Sequence, residues 1–221
     1  MVILCDFDDT TAQQNVATLL LDRFDPTPGQ ASPRWRQLHQ QYLNAEITLA
    51  EYQEMAFARL ASTRGEQTAY VKQEANLREG FVELAEYCAA HAIELAIVSH
   101  GLDFYVSALL EKAGLEHIPF YAVETKERGG LTLFDYNFSQ PDCPWAPGNC
   151  KCYIVEEYKE RGQQVLFAGD GVSDTCPARK ADFVFAKDGL LSYCQQQGLP
   201  HLELTDFHVV VDYLKKQSIE V

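Results

Sequence analysis

The chain is short of positive charge. Its 221 residues carry 18 Lys and Arg against 32 Asp and Glu, a net −14 at pH 7. So acidic a surface argues against nucleic acid and anionic membranes as partners, since both repel it. It also means that an anionic substrate needs a local positive site, either a metal ion or a placed lysine. No apolar stretch reaches about 18 residues and no basic leader precedes one, so neither a membrane span nor a signal peptide is expected. Seven Cys, an odd number without a secretory signal, read as reduced thiols in a cytoplasmic protein. Internal repeats and low-complexity tracts are missing too. The length is enough for one sizeable core and a smaller second unit.

What is present is concentrated in the first ten residues. Met1 to Cys5 form a short apolar run that leaves no room for a helix, so they read as a buried strand. Asp6-Phe7-Asp8-Asp9-Thr10 follows at once. Carboxylates gathered at the end of a buried strand repel one another unless a cation neutralises them. Alternate strand residues face the same way, so Asp6 and Asp8 can share a pocket. A calcium loop starting at Asp6 would need Gly and Glu at its sixth and twelfth positions; Thr11 and Ala17 stand there.

Residues 12–79 show no strand-like alternation. Helical patterns cover 15–24, 33–45, 48–62 and 66–77, broken by the turn signal Asp25-Pro26-Thr27-Pro28-Gly29. Thr48 and Glu51 fit a capping box. This stretch reads as a helical cap inserted after the first strand, with 1–11 and 80–221 forming the core. From residue 80 helices alternate with β-rich runs at 93–98, 118–124, 131–134, 164–168 and 182–186, the second and third forming a hairpin; two helical segments close the chain. Such alternation predicts an α/β fold with a parallel, Rossmann-like sheet. Ligands of such sheets bind at the carboxyl ends of strands. Ser99-His100-Gly101 follows one strand and Gly169-Asp170-Gly171-Val172-Ser173-Asp174 another. Lys151 opens a helix after an irregular loop containing Cys143, Trp145, Cys150 and Cys152.

Asp6-x-Asp8-x-Thr10, Ser99, Lys151 and Gly169-Asp170-x-x-x-Asp174 resemble, in order, the four motifs of the haloacid dehalogenase superfamily. The likeness spans residues 6–174. It is closer to the phosphoserine-phosphatase-like branch, and within it to phosphatases of methionine salvage. The features that carry this are Val98 to Phe104, the Cys-rich approach to Lys151, and Phe185-Ala186-Lys187-Asp188 followed by Leu190-Leu191. Asp9 and His100 depart from the glycines usual at their positions.

The resemblance implies a Mg²⁺-dependent phosphomonoesterase acting on a small phosphorylated metabolite through an aspartyl-phosphate. Asp6 is then the nucleophile and Asp8 the general acid and base. Ser99, His100, Gly101 and Lys151 hold the phosphate. The Asp6 and Asp170 carboxylates and the Asp8 carbonyl bind the metal, with Asp174 beside them or acting through water. The substrate implied is a phosphorylated keto-enol with an apolar thioether tail; the alternatives are phosphoserine, or transfer to an acceptor other than water. A signalling receiver domain shares the acids and the lysine but is about 120 residues long and has no cap. In the cap, Trp35, Tyr42, Tyr52, Met55 and Phe57 offer apolar contacts, and Arg34, Arg36 and Arg59 offer charge. Zinc is not expected at Cys143, Cys150 and Cys152, because three thiols lack a fourth ligand. Cys5 and Cys176 read as small core residues.

Overall fold

The computed structural model describes residues 1–26, 33–58, 60–129, 131–143 and 146–219. Seven strands form one sheet: β1 (Val2–Cys5), β2 (Glu94–Leu102), β3 (Phe120–Arg128), β4 (Leu131–Asp135), β5 (Val165–Gly169), β6 (Phe183–Ala186) and β7 (His201–Glu203). Their order is β4-β3-β2-β1-β5-β6-β7. All neighbours run parallel except the β3–β4 hairpin. Ten helices accompany them among the described residues: α1 (Val16–Phe24), α2 (Arg34–Leu43), α3 (Leu49–Phe57), α4 (Arg64–Glu74), α5 (Phe81–Ala90), α6 (Asp103–Lys112), α7 (Lys151–Glu160), α8 (Thr175–Lys180), α9 (Asp188–Gln197) and α10 (His208–Ile219).

β1 is central because every one of its residues is apolar and both its faces are covered. Its alternation divides the core. Ile3 and Cys5 join Leu84 of α5, Val106 of α6 and Val210 of α10. Val2 and Leu4 join Val155 of α7, Ala178 of α8 and Leu190 of α9 on the other face. The register places Cys5 beside Ile97 of β2 and Ala168 of β5. Asp6, Ser99 and Asp170 therefore emerge close together. The chain order reverses at β1, where open parallel sheets leave a crevice for ligands.

α1 to α4 lie between β1 and α5 in the chain. The two ends of this stretch are pinned side by side: Ala12 bridges Leu77, and the Gln13 N–H donates to the Asn76 carbonyl at 2.9 Å. Leu20, Leu38, Phe57 and Val71 from these helices continue the hydrophobic cluster on the Ile3 face. The Thr48–Glu51 capping box is present, and Thr63–Glu66 forms a second one. No helix among the described residues is long and apolar enough to cross a membrane.

Four local readings are corrected. β2 runs on through Ser99 to Leu102, with its pairing to β3 shifted between Val98 and Leu102. β3 extends to Arg128, which pairs with Leu131 of β4, so strand takes in part of the Lys126–Gly130 turn signal; Gly130 lies outside the described residues. His201–Glu203 adds an edge strand where only helices were expected; three residues give period-two alternation nothing to show. The thiols are not all reduced: Cys152 is bonded to Cys176, Cα to Cα 5.9 Å, within the usual disulfide span. Trp145 and Arg59 lie outside the described residues.

Candidate active site

The backbone turns sharply after β1. Residues Phe7–Thr11 form a single wide turn in which the Ala12 N–H reaches the Phe7 carbonyl at 2.8 Å. Asp9 takes a left-handed φ of 59° inside it. That conformation explains why glycine is usual there, and Asp is among the few other residues that tolerate it. The turn is held from outside. Arg78 donates to the carbonyls of Thr10 at 2.7 Å and Asp9 at 2.5 Å, and Lys187 Nζ reaches the Asp9 carbonyl at 3.1 Å.

Asp6, Lys151, Asp170 and Asp174 converge as the motifs implied. Lys151 is buried and its Nζ lies 2.5 Å from Asp6 Oδ1, 2.7 Å from Asp174 Oδ1 and 3.4 Å from Ser173 Oγ. Asp174 Oδ2 accepts from the N–H groups of Asp170 and Gly171, at 3.0 and 3.1 Å. Gly169 makes room for this: a Cβ there would stand 2.7 Å from the Asp174 carboxylate. Thr10 Oγ1 lies 3.1 Å from Asp170 Oδ1 and 3.3 Å from Asp6 Oδ2.

Asp6, Asp170 and Asp174 each offer an oxygen within 4.8 Å of the others. Burial raises the Asp6 pKa well above the usual carboxylate range; Lys151 pulls it back, and Asp174 and Asp170 push it up again. Burial and Asp174 also raise Asp170. Burial alone would lower Lys151, but Asp174 and Asp6 outweigh it and keep the ammonium charged. Three carboxylates, two buried and Asp170 half-buried, thus crowd around one buried ammonium and outnumber it. A divalent cation with a preference for oxygen ligands fits that deficit in sign, size and donor type.

Asp8 stands apart from this trio. Its Oδ1 accepts the Val16 N–H at 2.7 Å at the start of α1, and its Oδ2 accepts the Tyr105 hydroxyl at 3.0 Å. Burial raises its pKa to about 6, against the lowering effect of the Val16, Tyr105 and Ala17 hydrogen bonds. Tyr105 was not singled out in the sequence, where an aromatic early in a helix reads as core. Gly101 depends on it, because a Cβ there would come within 2.0 Å of the Tyr105 oxygen.

Ser99 is buried, and its Oγ accepts the Gly101 N–H at 2.9 Å, which leaves the hydroxyl proton to donate elsewhere. Asn149 Nδ2 ties the Ser99 carbonyl to the residue pair before Lys151, at 3.2 Å. Burial and the nearby Lys151 charge push the His100 pKa well below the ordinary histidine range, so its ring is neutral. The His100 carbonyl instead receives Gln53 Nε2 of α3 at 2.6 Å.

Beside Ser173, whose Oγ lies 3.4 Å from Lys151 Nζ, opens a cavity of about 580 Å³, a size that suits a small molecule. Its wall includes Tyr42, Leu43, Ile47, Leu49, Val172 and Ser173. Tyr42 stacks on Tyr52, ring centroids 5.7 Å apart. The other expected cap contacts lie elsewhere. Trp35 and Phe57 are buried in the core, and Met55 and Arg34 line a separate, much smaller cavity. Arg36 pairs with Asp22 at 3.1 Å.

Comparison with known proteins agrees with this geometry. The sequence model of the family described as Putative Phosphatase matches residues 1–209. The chain is 30% identical to the 2-hydroxy-3-keto-5-methylthiopentenyl-1-phosphate phosphatase of Brevibacillus brevis, over 100% of this chain and 98% of that one. It is equally similar, at 30% and the same coverage, to the protein of that name from Geobacillus kaustophilus. Among solved structures, a phosphoserine phosphatase carrying an analogue of the phospho-aspartyl intermediate superposes with a TM-score of 0.66. Its sequence identity is 17%, and 96% of this chain and 97% of that one are covered. At such identity the match speaks for the fold, the haloacid dehalogenase phosphatase fold. With the family model covering nearly the whole chain, the protein belongs to the Putative Phosphatase family and is a phosphoric monoester hydrolase.

Proposed function

We propose that this phosphatase is Mg²⁺-dependent and hydrolyses a small phosphorylated keto-enol, 2-hydroxy-3-keto-5-methylthiopentenyl-1-phosphate, as its relatives' names state of them. The observation that carries the reading is the trio Asp6, Asp170 and Asp174, two of them buried and Asp170 half-buried, which outnumbers the one buried ammonium, Lys151. Asp6, Asp170 and the Asp8 carbonyl are the proposed ligands. Asp174 orients the Asp170 loop and holds Lys151. Bound Mg²⁺ supplies the positive charge that lets a phosphate dianion approach a carboxylate.

The chain's own residues do the rest. The Asp6 carboxylate attacks phosphorus, the ester P–O bond breaks, and an aspartyl-phosphate forms. Asp8 gives its proton to the leaving alkoxide, then takes one from the water that hydrolyses the intermediate. Lys151 and the Ser99 hydroxyl hold phosphate oxygens, with the His100–Gly101 backbone shaping that cradle. Gln53 of α3 links residues 12–79 to it, as a lid that excludes water. The 580 Å³ cavity suits an apolar tail. Phosphoserine is disfavoured, because its carboxylate calls for an arginine and none lines that cavity among the described residues.

The metal assignment is tested by chelation. Activity disappears in excess chelator and returns with Mg²⁺, whereas Ca²⁺ restores it poorly because its looser shell misplaces the attacking oxygen. Full activity in excess chelator contradicts the site.

The acid role of Asp8 predicts a pH signature. With its pKa raised to about 6, the acid form is present below that value and is lost as pH rises through it. An alkyl ester needs that proton and an aryl ester, with its better leaving group, does not. The ratio of kcat/KM for aryl over alkyl ester therefore climbs about tenfold per pH unit above roughly 6. Tyr105→Phe removes a hydrogen bond that favours the Asp8 carboxylate, so the rise begins at higher pH. A flat ratio removes Asp8 as the acid.

A further inference from the structure

Two carboxamides that the motifs leave out hold the backbone around Ser99. Val98 pairs with Tyr121 and Leu102 with Val123, so Ser99, His100 and Gly101 stand opposite Ala122 alone. Such a bulge interrupts the regular ladder, and bulges recur beside active sites. Its first two carbonyls each receive a buried side-chain amide. Asn149 Nδ2 holds that of Ser99 at 3.2 Å, and Gln53 Nε2 holds that of His100 at 2.6 Å. The two amides come from different parts of the chain. Asn149 belongs to the core, two residues before Lys151. Gln53 belongs to α3, in the stretch inserted after β1.

The Gln53 contact acts on Ser99 through one rigid plane. The His100 carbonyl and the Gly101 N–H are opposite ends of a single peptide unit. Gln53 grips one end, and Ser99 Oγ accepts the other at 2.9 Å. With that bond in place the Ser99 proton must point away from Gly101. A peptide unit released at its carbonyl can rotate, carry the N–H off Ser99 and let the hydroxyl turn. α3 is itself fixed on both sides of Gln53. The Tyr136 hydroxyl donates to the Ala50 carbonyl at 3.3 Å, and the Thr132 N–H donates to the Ala58 carbonyl at 3.4 Å. Gln53 Oε1, by contrast, is buried and meets no donor among the described residues. An unmet buried acceptor is unfavourable, and an apolar side chain of the same length would avoid it. The amide is therefore accounted for by what its nitrogen does.

Taking Ser99 as the phosphate-holding hydroxyl proposed above, we propose that Gln53 is a positioning residue for the phosphate cradle. It fixes the His100–Gly101 peptide, keeps the Gly101 N–H on Ser99 Oγ, and so aims the Ser99 proton at the phosphate. Asn149 makes its contact from within the core, with or without α3 in place. Gln53 makes its contact only when α3 is docked. The cradle thus takes its phosphate-binding form under a closed lid, and the chemistry does not start in an open, wet site.

A double-mutant cycle tests this on p-nitrophenyl phosphate with Mg²⁺, an ester that does not depend on the keto-enol assignment. Gln53→Met keeps the length of the side chain and removes the donor. It should lower kcat/KM at least about tenfold in the wild-type chain, and less than about threefold beside Ser99→Ala. A side chain that merely braces the interface costs the same factor in both backgrounds. Gln53→Asn keeps the amide but falls one methylene short of the carbonyl, and takes the same place in the cycle if the Met variant does not fold. Equal losses in the two backgrounds overturn the role of Gln53 and leave the phosphatase reading intact. A loss under about threefold for Ser99→Ala alone removes Ser99 from the cradle, and Gln53 with it.

Discussion

Asp6→Asn is expected to lower turnover by at least about 10⁴-fold, the scale on which loss of a nucleophile is felt. The amide is near-isosteric but cannot attack phosphorus. The fold should survive the change for an electrostatic reason. Asp6 is one of three carboxylates sharing a single ammonium, and Lys151 keeps its 2.7 Å contact with Asp174. Burial raises the folded pKa of Asp6. Its contribution to the metal-free fold is therefore fully present below the unfolded pKa and is lost as pH rises through the folded value. Above the folded pKa of Asp6 the substitution removes a repulsive charge, and there the melting temperature of the metal-free variant should not fall below that of wild type. Turnover within tenfold of wild type contradicts the mechanism, and unfolding contradicts the electrostatic argument.

Asp8→Asn should lose roughly 10²–10⁴-fold by a different route, through the missing acid and base. Its amide oxygen can still accept the Val16 N–H, so the turn after β1 is retained. The two losses separate on an aryl ester. That leaving group departs unaided, so Asp8→Asn should release one equivalent of phenol in a burst and then stall at the aspartyl-phosphate. Asp6→Asn should give no burst. A burst in neither variant, or a loss under tenfold for Asp8→Asn, removes the division of labour between the two acids.

Much of this site is legible in the sequence because strand ends advertise it. Three apolar runs stop at Asp6, Ser99 and Gly169-Asp170, and a parallel sheet must bring such ends together. Lys151 is legible as a helix start, although its distance from Asp6 is set by the pairing of β1 with β5. Other features are contacts between segments far apart in sequence, with no local pattern to announce them. Tyr105 reaches Asp8 across 97 residues, and Gln53 reaches His100 across 47. Gly101 is required by the Tyr105 side chain. Cys176 shows no sign in the sequence of bonding to Cys152. Asp9 is the reverse case: a departure from glycine that turns out to occupy the backbone conformation glycine would serve.

The most direct test of the proposed function compares kcat/KM for 2-hydroxy-3-keto-5-methylthiopentenyl-1-phosphate and for phosphoserine by phosphate release in the presence of Mg²⁺. The largely apolar wall of the cavity beside Ser173, without an arginine among the described residues, predicts a clear preference for the keto-enol ester. A preference for phosphoserine contradicts the substrate assignment.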